Sequence, residues 1–361
     1  MTRFTSLNKS KFIFFKLCSV SVTGILFILY YCYYYDGSFL KNEKYFLNSE
    51  RVTGNSLLDF RNFEYIINND ICKGNVHILI LVHTAPNHFH HRNVIRSMWG
   101  NLGPEFPVIK IVFLLAATEE FQANIERENY SYRDIVQGNF LDSYRNLTYK
   151  HVMGLSWASE YCAHARYLLK MDDDIFIDVY QLLDYIYTKF KYFDLENNIA
   201  CYFQQHMPVV RDPVSKWYVS KEEFSSDTFD DYCSGWAYLT TPHAAKTLIY
   251  SVRKLRYFWV DDVHLTGSAA KAAGIGKISL NYLYALETDG LIEWVSNSNG
   301  LKWDKVFAPT WGDLILTRKA HEKAKQCYIS KCKCCYARKT TVRPITVSTT
   351  VKGVAIPLHA F

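Results

Sequence analysis

Three consecutive carboxylates, Asp172, Asp173 and Asp174, follow an apolar run at 167–171 and precede a second apolar run beginning at Ile175. Acidic side chains set between core-type segments need a positive partner, because carboxylates are seldom buried unpaired and close like charges raise one another's pKa. A hard divalent cation with oxygen ligands answers that need and would also hold phosphate oxygens. A solvated acidic turn is the alternative for this stretch taken alone. A second acidic pair, Asp261-Asp262, lies between the aromatic-apolar run Trp259-Val260 and a predicted helix. Capping of that helix accounts for the pair by itself, since Asp favours N-caps. Beside the triplet, it suggests a division of labour: one acidic group holds metal and nucleotide, the other removes a proton.

The elements that must position these groups read as an α/β domain. Residues 76–82 and 108–115 have the length and β-branching of buried strands, 119–129 of a helix, and 134–136 of a short strand. A long helix at 142–161, the strand ending at the triplet and a helix at 179–192 follow. Strands alternating with helices imply a largely parallel sheet, in which ligands bind beyond the C-terminal strand ends, where the triplet falls. Further on, 199–204 and 217–219 read as strands, and 242–253 and 262–273 as helices, the second closed by Gly274. Beyond Gly300 only 303–316 has a packed pattern.

Residues 17–35 carry no charge and span about 28 Å as a helix, close to the hydrocarbon thickness of a bilayer. Arg3, Lys9, Lys11 and Lys16 precede this stretch and mixed charges follow it, which orients it with its N-terminus in the cytoplasm. No small-residue cleavage site follows the tyrosines at its end, so it reads as an uncleaved signal anchor. The expected organisation is a cytoplasmic tail at 1–16, a transmembrane anchor at 17–35, a stem at 36–75, a lumenal catalytic domain at 76–337 and a mobile tail at 338–361. Within the stem, residues 57–67 read as a short helix.

The net charge of +6 over 361 residues is concentrated at the ends, and residues 17–316 carry a net −7. That body excludes a nucleic-acid footprint. Eight of the ten cysteines lie beyond the anchor, and in a lumenal setting they favour disulfides over a zinc site, with connectivity open. Asn129 and Asn146 begin glycosylation sequons. The 27 Tyr, 23 Phe and 8 Trp suit sugar stacking but fill cores more often, so composition decides nothing here.

Five blocks, in order, resemble the β-1,3-galactosyltransferase family, which includes β-1,3-N-acetylglucosaminyl and fringe-type transferases. Arg92-Asn93-Val94-Ile95-Arg96-Ser97-Met98-Trp99-Gly100 is similar to R-x-x-I-R-x-T-W-G, with Met98 in place of Thr. The block from Asp134 through Phe140 to Lys150 resembles D-F-x-D-S-Y-x-N-L-T-x-K, with Asn139 in place of an acid. Lys170-Met171-Asp172-Asp173-Asp174-Ile175-Phe176 resembles K-x-D-D-D-x-F, Tyr232-Cys233-Ser234-Gly235 matches Y-C-S-G, and Asp261-Asp262-Val263 resembles E-D-V.

The resemblance implies a GT-A glycosyltransferase: a Rossmann-like sheet binding UDP-galactose, or alternatively a UDP-N-acetylhexosamine, with Mn2+ (or Mg2+) at the acidic triplet. It implies Asp174 as principal metal ligand, Asp172 near the ribose or the metal, and Asp173 in support. Asp262 would be the general base that deprotonates an acceptor hydroxyl for inverting, β-1,3 transfer. Arg92, Arg96 and Lys150 are expected near the nucleotide, and Trp217, Tyr218, Tyr232 and Trp236 at an acceptor groove. Acceptors would be glycans of glycoproteins or glycolipids, and the setting a type II Golgi membrane protein. The family commonly supplies a metal-binding His beyond the acidic pair, but none occurs between His264 and His321. That departure, with Met98 and Asn139, motivates a competing reading as a non-catalytic lumenal glycan-binding protein. A metal-dependent phosphohydrolase is the remaining alternative.

Overall fold

Among the described residues, the longest apolar runs form the middle of a sheet. The computed structural model describes residues 56–99, 102, 106–297 and 302–330; apart from Lys254–Arg256, these belong to one compact unit. Its main sheet comprises β1 (Tyr65–Ile67), β2 (Ile78–His83), β3 (Ile109–Ala117), β4 (Ile135–Leu141), β5 (Tyr167–Asp172), β6 (Asn198–Gln204), β7 (Tyr232–Thr240) and β8 (Gly276–Ser279). The spatial order is β8-β6-β7-β5-β2-β3-β4-β1. β5, β2, β3 and β4 run parallel. β7 lies antiparallel to both β5 and β6, and β1 edges the sheet antiparallel to β4. The sheet is therefore mixed, with a parallel centre covered by helices, as the alternating pattern predicts.

The helices are α1 (Phe89–Trp99), α2 (Gln122–Tyr132), α3 (Leu147–Tyr161), α4 (Val179–Thr188), α5 (Pro242–Val252), α6 (Asp289–Ser296) and α7 (Leu314–Ser330). α3 approaches β3 so closely that a Cβ on Gly154 would stand 2.3 Å from a Leu114 methyl. α4 starts where the Asp178 carboxylate accepts the Gln181 amide at 3.0 Å, an N-cap bond that ends the preceding segment. Asp262 introduces a π-helical segment, Val263–Ala269, which runs into one α turn, Ala270–Ala273, closed by Gly274 at φ 68°.

Several expectations need correction. No helix forms at 57–67: Ser56–Leu57 pairs with Phe60–Arg61, β1 follows, and Leu58 and Asn62 adopt left-handed φ values of 57°, which a helix forbids. The packed body therefore starts before residue 76, and Cys72 is disulfide-bonded to Cys162 at the end of α3. The long helix begins at Leu147 rather than 142, because the Asp142 carboxylate is held by the Ala116 amide at 2.8 Å and by Lys150 Nζ at 2.9 Å. Residues 217–219 lie in a loop; β7 supplies the strand instead, disulfide-bonded to β6 through Cys201–Cys233. Packing extends past residue 316 along α7 to Cys327, which is also disulfide-bonded. The anchor expected at 17–35 and the tail at 338–361 lie outside the described residues, among which no helix is long and apolar enough to cross a membrane.

Candidate active site

β5 ends at Asp172, and residues 173–174 turn the chain into the short strand Ile175–Ile177. The turn is pinned on both sides. The Asp173 amide donates to the His83 carbonyl at 3.1 Å, while Thr310 donates its amide (3.0 Å) and hydroxyl (2.8 Å) to the Asp174 carbonyl. The Asp173 carboxylate accepts the Thr84 hydroxyl at 2.5 Å and meets His88 Nδ1 at 2.8 Å. Burial opposes its charge, but His88 and Thr84 outweigh burial and hold the carboxyl below its ordinary value. Asp174 moves the other way, raised by burial and by the charge of Asp173.

Lys170 joins this turn to the second acidic pair. Its side chain is buried, with Nζ 2.6 Å from Asp172 Oδ1 and also donating to the Gly235 carbonyl. The Gly235 amide in turn donates to Asp262 Oδ2 at 3.0 Å, and the Val263 amide donates to Oδ1 at 2.8 Å. Register explains the meeting: Lys170 stands between Leu81 of β2 and Tyr238 of β7. Burial disfavours the ammonium, yet Asp172, Asp261 and Asp262 together keep its pKa above the ordinary lysine value. Burial pushes the Asp172 carboxyl up to about 7, against the pull of Lys170. Burial and the neighbouring charge of Asp261 raise Asp262 to about 7.

The two members of the Asp261–Asp262 pair are pushed apart by their surroundings. Asp261 Oδ2 lies 2.8 Å from His151 Nδ1, and His151 Nε2 lies 2.6 Å from the Tyr238 hydroxyl. Burial lowers the His151 pKa, so the ring is neutral, donating from Nδ1 to Asp261 and accepting the Tyr238 proton at Nε2. That bond leads the forces holding Asp261 below the ordinary range despite burial. Asp261 thus stays ionised while Asp262 becomes the more basic carboxylate of the pair.

The three basic residues expected near a nucleotide have other partners. Arg92 is fully buried, paired with Glu128 at 2.7 Å and donating to the Ala85 carbonyl at 2.7 Å, the Pro86 carbonyl at 3.2 Å and the Thr84 hydroxyl at 3.3 Å. Arg96 pairs with Glu128 at 2.8 Å and with Asp134 at 2.7 Å, over the rings of Phe113 and Tyr132. Lys150 is buried between Asp142 and the Thr84 carbonyl, 2.9 and 2.8 Å away. Arg92 and Lys150 therefore brace the loop at 84–86, whose Thr84 holds Asp173, and Arg96 ties α1 to α2 and the start of β4. Among the aromatic candidates, Tyr232 packs against Phe229, whereas Trp236, next to Gly235, stacks on Tyr202 and meets the exposed Trp311 edge-on at 6.3 Å. A cavity of about 410 Å³ lies elsewhere, lined by α1 and α2 residues including Phe89, Asn93, Arg127 and Tyr132.

The donor set of the turn fits a divalent cation. One ligand atom from each of His88, His91 and Asp173 lies within 4.8 Å of the others. Asp172, expected as a metal ligand, has its Oδ1 engaged by Lys170. His88, His91, Thr84, His151 and the bridging role of Lys170 escaped the sequence reading. The His-x-x-His spacing at 88–91 is visible in the sequence, but the resemblance points to a ligand downstream of Asp262 and gives these residues no role.

The Galactosyltransferase family profile matches residues 90–281. The chain is 31% identical over 255 residues to the zebrafish (Danio rerio) lactosylceramide 1,3-N-acetyl-beta-D-glucosaminyltransferase A, covering 67% of each chain. It is 32% identical over 220 residues to mouse (Mus musculus) beta-1,3-galactosyltransferase 2, covering 58% of this chain but 51% of that protein's length. A solved structure of the galactosyltransferase LgtC with donor and acceptor sugar analogs aligns with 13% identity and a TM-score of 0.38, covering 70% of this chain and 95% of the other. With the profile spanning just over half its length, the chain belongs to the galactosyltransferase family.

Proposed function

We propose that the chain is an inverting β-1,3-hexosyltransferase of GT-A type, moving galactose from UDP-galactose to a hydroxyl of a glycan on protein or lipid. The observation that carries this reading is the Lys170–Gly235 bridge, which sets the acidic turn beside Asp262 rather than across the molecule from it. A divalent cation at the turn would neutralise charge developing on the departing diphosphate. Asp262 accepts the acceptor's proton, and its raised pKa suits a base working near neutral pH. The amides of Gly235 and Val263 fix its carboxylate plane, and Asp261, anchored by His151, keeps it basic. Lys170 limits the repulsion among the carboxylates. Trp236 and Trp311 offer apolar faces suited to a sugar ring.

Transfer of N-acetylglucosamine is the second reading, favoured by the name of the zebrafish relative, which acts on lactosylceramide. N-Acetylgalactosamine belongs to the same donor panel. The Cys72–Cys162 and Cys201–Cys233 bridges fit a lumenal, oxidising setting behind a type II anchor in the Golgi membrane. The test offers detergent-solubilised full-length protein UDP-galactose, UDP-N-acetylglucosamine and UDP-N-acetylgalactosamine with a glycan panel that includes lactosylceramide, followed by linkage analysis. A β-1,3-galactosyl product supports the main reading. Turnover of an N-acetylated donor alone replaces it with the second, and glycan binding without any transfer favours a non-catalytic lectin-like protein.

A further inference from the structure

The ligands that the acidic turn lacks downstream of Asp262 are present upstream of it. His88 immediately precedes α1 and His91 lies in its first turn, three residues on, a spacing that brings both side chains to one side of the helix start. Their rings stack with centroids 4.2 Å apart and planes 18° apart, so their nitrogens approach Asp173 together. His88 Nδ1 is 2.8 Å from Asp173 Oδ2, and the three ligand atoms fall within 4.8 Å of one another. The cradle is completed from the other end of the chain. Gly312, at φ 82°, lies so near that a Cβ there would stand 3.2 Å from His91 Nε2. The adjacent Thr310 fixes the Asp174 carbonyl, so residues 310–312 hold the turn and leave room at the imidazole together. Arg92 and Lys150 fix the loop that carries Thr84 to Asp173, which keeps the carboxylate aimed at the two rings.

We infer that His88, His91 and Asp173 form the protein's ligand set for a divalent cation with affinity for imidazole, Mn2+ in preference to Mg2+. This rests on the reading that the acidic turn holds the cation, and it adds where the nitrogen ligands come from. Imidazole suits transition metals, with Mn2+ at the weak end of that series and later metals above it, whereas Mg2+ prefers an all-oxygen octahedron that keeps several waters. A site with two nitrogens and a carboxylate oxygen therefore discriminates by ligand chemistry.

The test uses full-length protein in detergent with Mn2+ alone, without nucleotide, read by electron spin-echo envelope modulation and by titration. Wild type should bind Mn2+ with nitrogen-14 modulation, at least about tenfold more tightly than Mg2+. His91→Ala removes a ligand without breaking the His88–Asp173 bond; it should keep the metal-free melting temperature and weaken Mn2+ binding at least about tenfold, the scale lost even when an outer partner of a ligand is removed. The His88→Ala/His91→Ala double variant should lose the nitrogen modulation altogether. Asp174→Asn should retain that modulation on whatever Mn2+ remains bound. Wild type without nitrogen coupling, or full modulation in the double variant, overturns the ligand set, and sugar transfer persisting in that case leaves the functional reading intact. Nitrogen-coupled Mn2+ without transfer to any acceptor supports the ligand set and counts against the functional reading.

Discussion

Replacing Lys170 with Met keeps the length and apolar stem of the side chain but removes the one ammonium between three carboxylates. Two losses follow. The charge-assisted bond to Asp172, 2.6 Å in the native protein, is worth about 1.5–3 kcal/mol. The Gly235 carbonyl, half-buried, loses that donor, at a cost near the low end of about 1–3 kcal/mol. The Asp172 side chain is 37% exposed and can rehydrate, so the lower part of each range applies and the sum is about 3 kcal/mol. For a body of this size that is roughly a 6–12 °C fall in melting temperature. The loss must depend on pH, because Lys170 stabilises only ionised carboxylates. Asp172 and Asp262 have carboxyl groups raised to about 7, so protons neutralise both as pH falls through that value. The deficit is therefore greatest at pH 8 and shrinks toward pH 5.5. Calorimetric melts of Lys170→Met and wild type at both pH values check this. A deficit below 1 °C at pH 8, or one equal at both pH values, would refute the electrostatic account of the bridge.

Arg92→Met should destabilise the fold by about 1–3 kcal/mol, because it removes charge-assisted bonds to Glu128 and the 84–86 loop while Arg96 still pairs with Glu128; thermal melts check this, and a soluble, normally stable variant with weakened UDP binding would restore the nucleotide contact that the resemblance implies. Removing the Cys72–Cys162 bridge by serine substitution at both positions should cost roughly 2–5 kcal/mol for its 90-residue separation, measured by melting under oxidising conditions. With Asp262 as the proposed base, its raised carboxyl should set the acid limb: kcat/KM should fall tenfold per pH unit below about 7, and His151→Phe should move that limb, because it frees Asp261 to compete for the proton. An acid limb unmoved in His151→Phe would detach Asp261 from the tuning of the base.

The sheet centre is legible because β2 is an apolar run up to His83 and β5 is apolar but for Lys170, and the Asp triplet terminates β5 where parallel sheets bind ligands. β7 was missed because Ser234-Gly235 interrupts its apolar pattern; that glycine meets Asp262, so the feature hiding the strand also serves the site. The bend at 57–67 depended on two left-handed residues, Leu58 and Asn62, with no glycine to announce them. Asp262 stands out by its motif, but its basicity comes from burial and from the charge of Asp261, which is held ionised by His151, 110 positions away from it along the chain. Arg92, Arg96 and Lys150 resembled phosphate ligands by charge alone. Only the fold shows their charges already neutralised by Glu128, Asp134 and Asp142.

Asp262→Asn preserves shape and removes the basic oxygen, which makes it the most direct trial of the central claim. With purified full-length protein and the donor that wild type uses, kcat should drop by about 10²–10⁴-fold, while Mn2+-dependent UDP binding stays within about twofold of wild type. Transfer at the wild-type rate would contradict the assignment of the base and, with it, the proposed meeting of cation and base across the Lys170–Gly235 bridge.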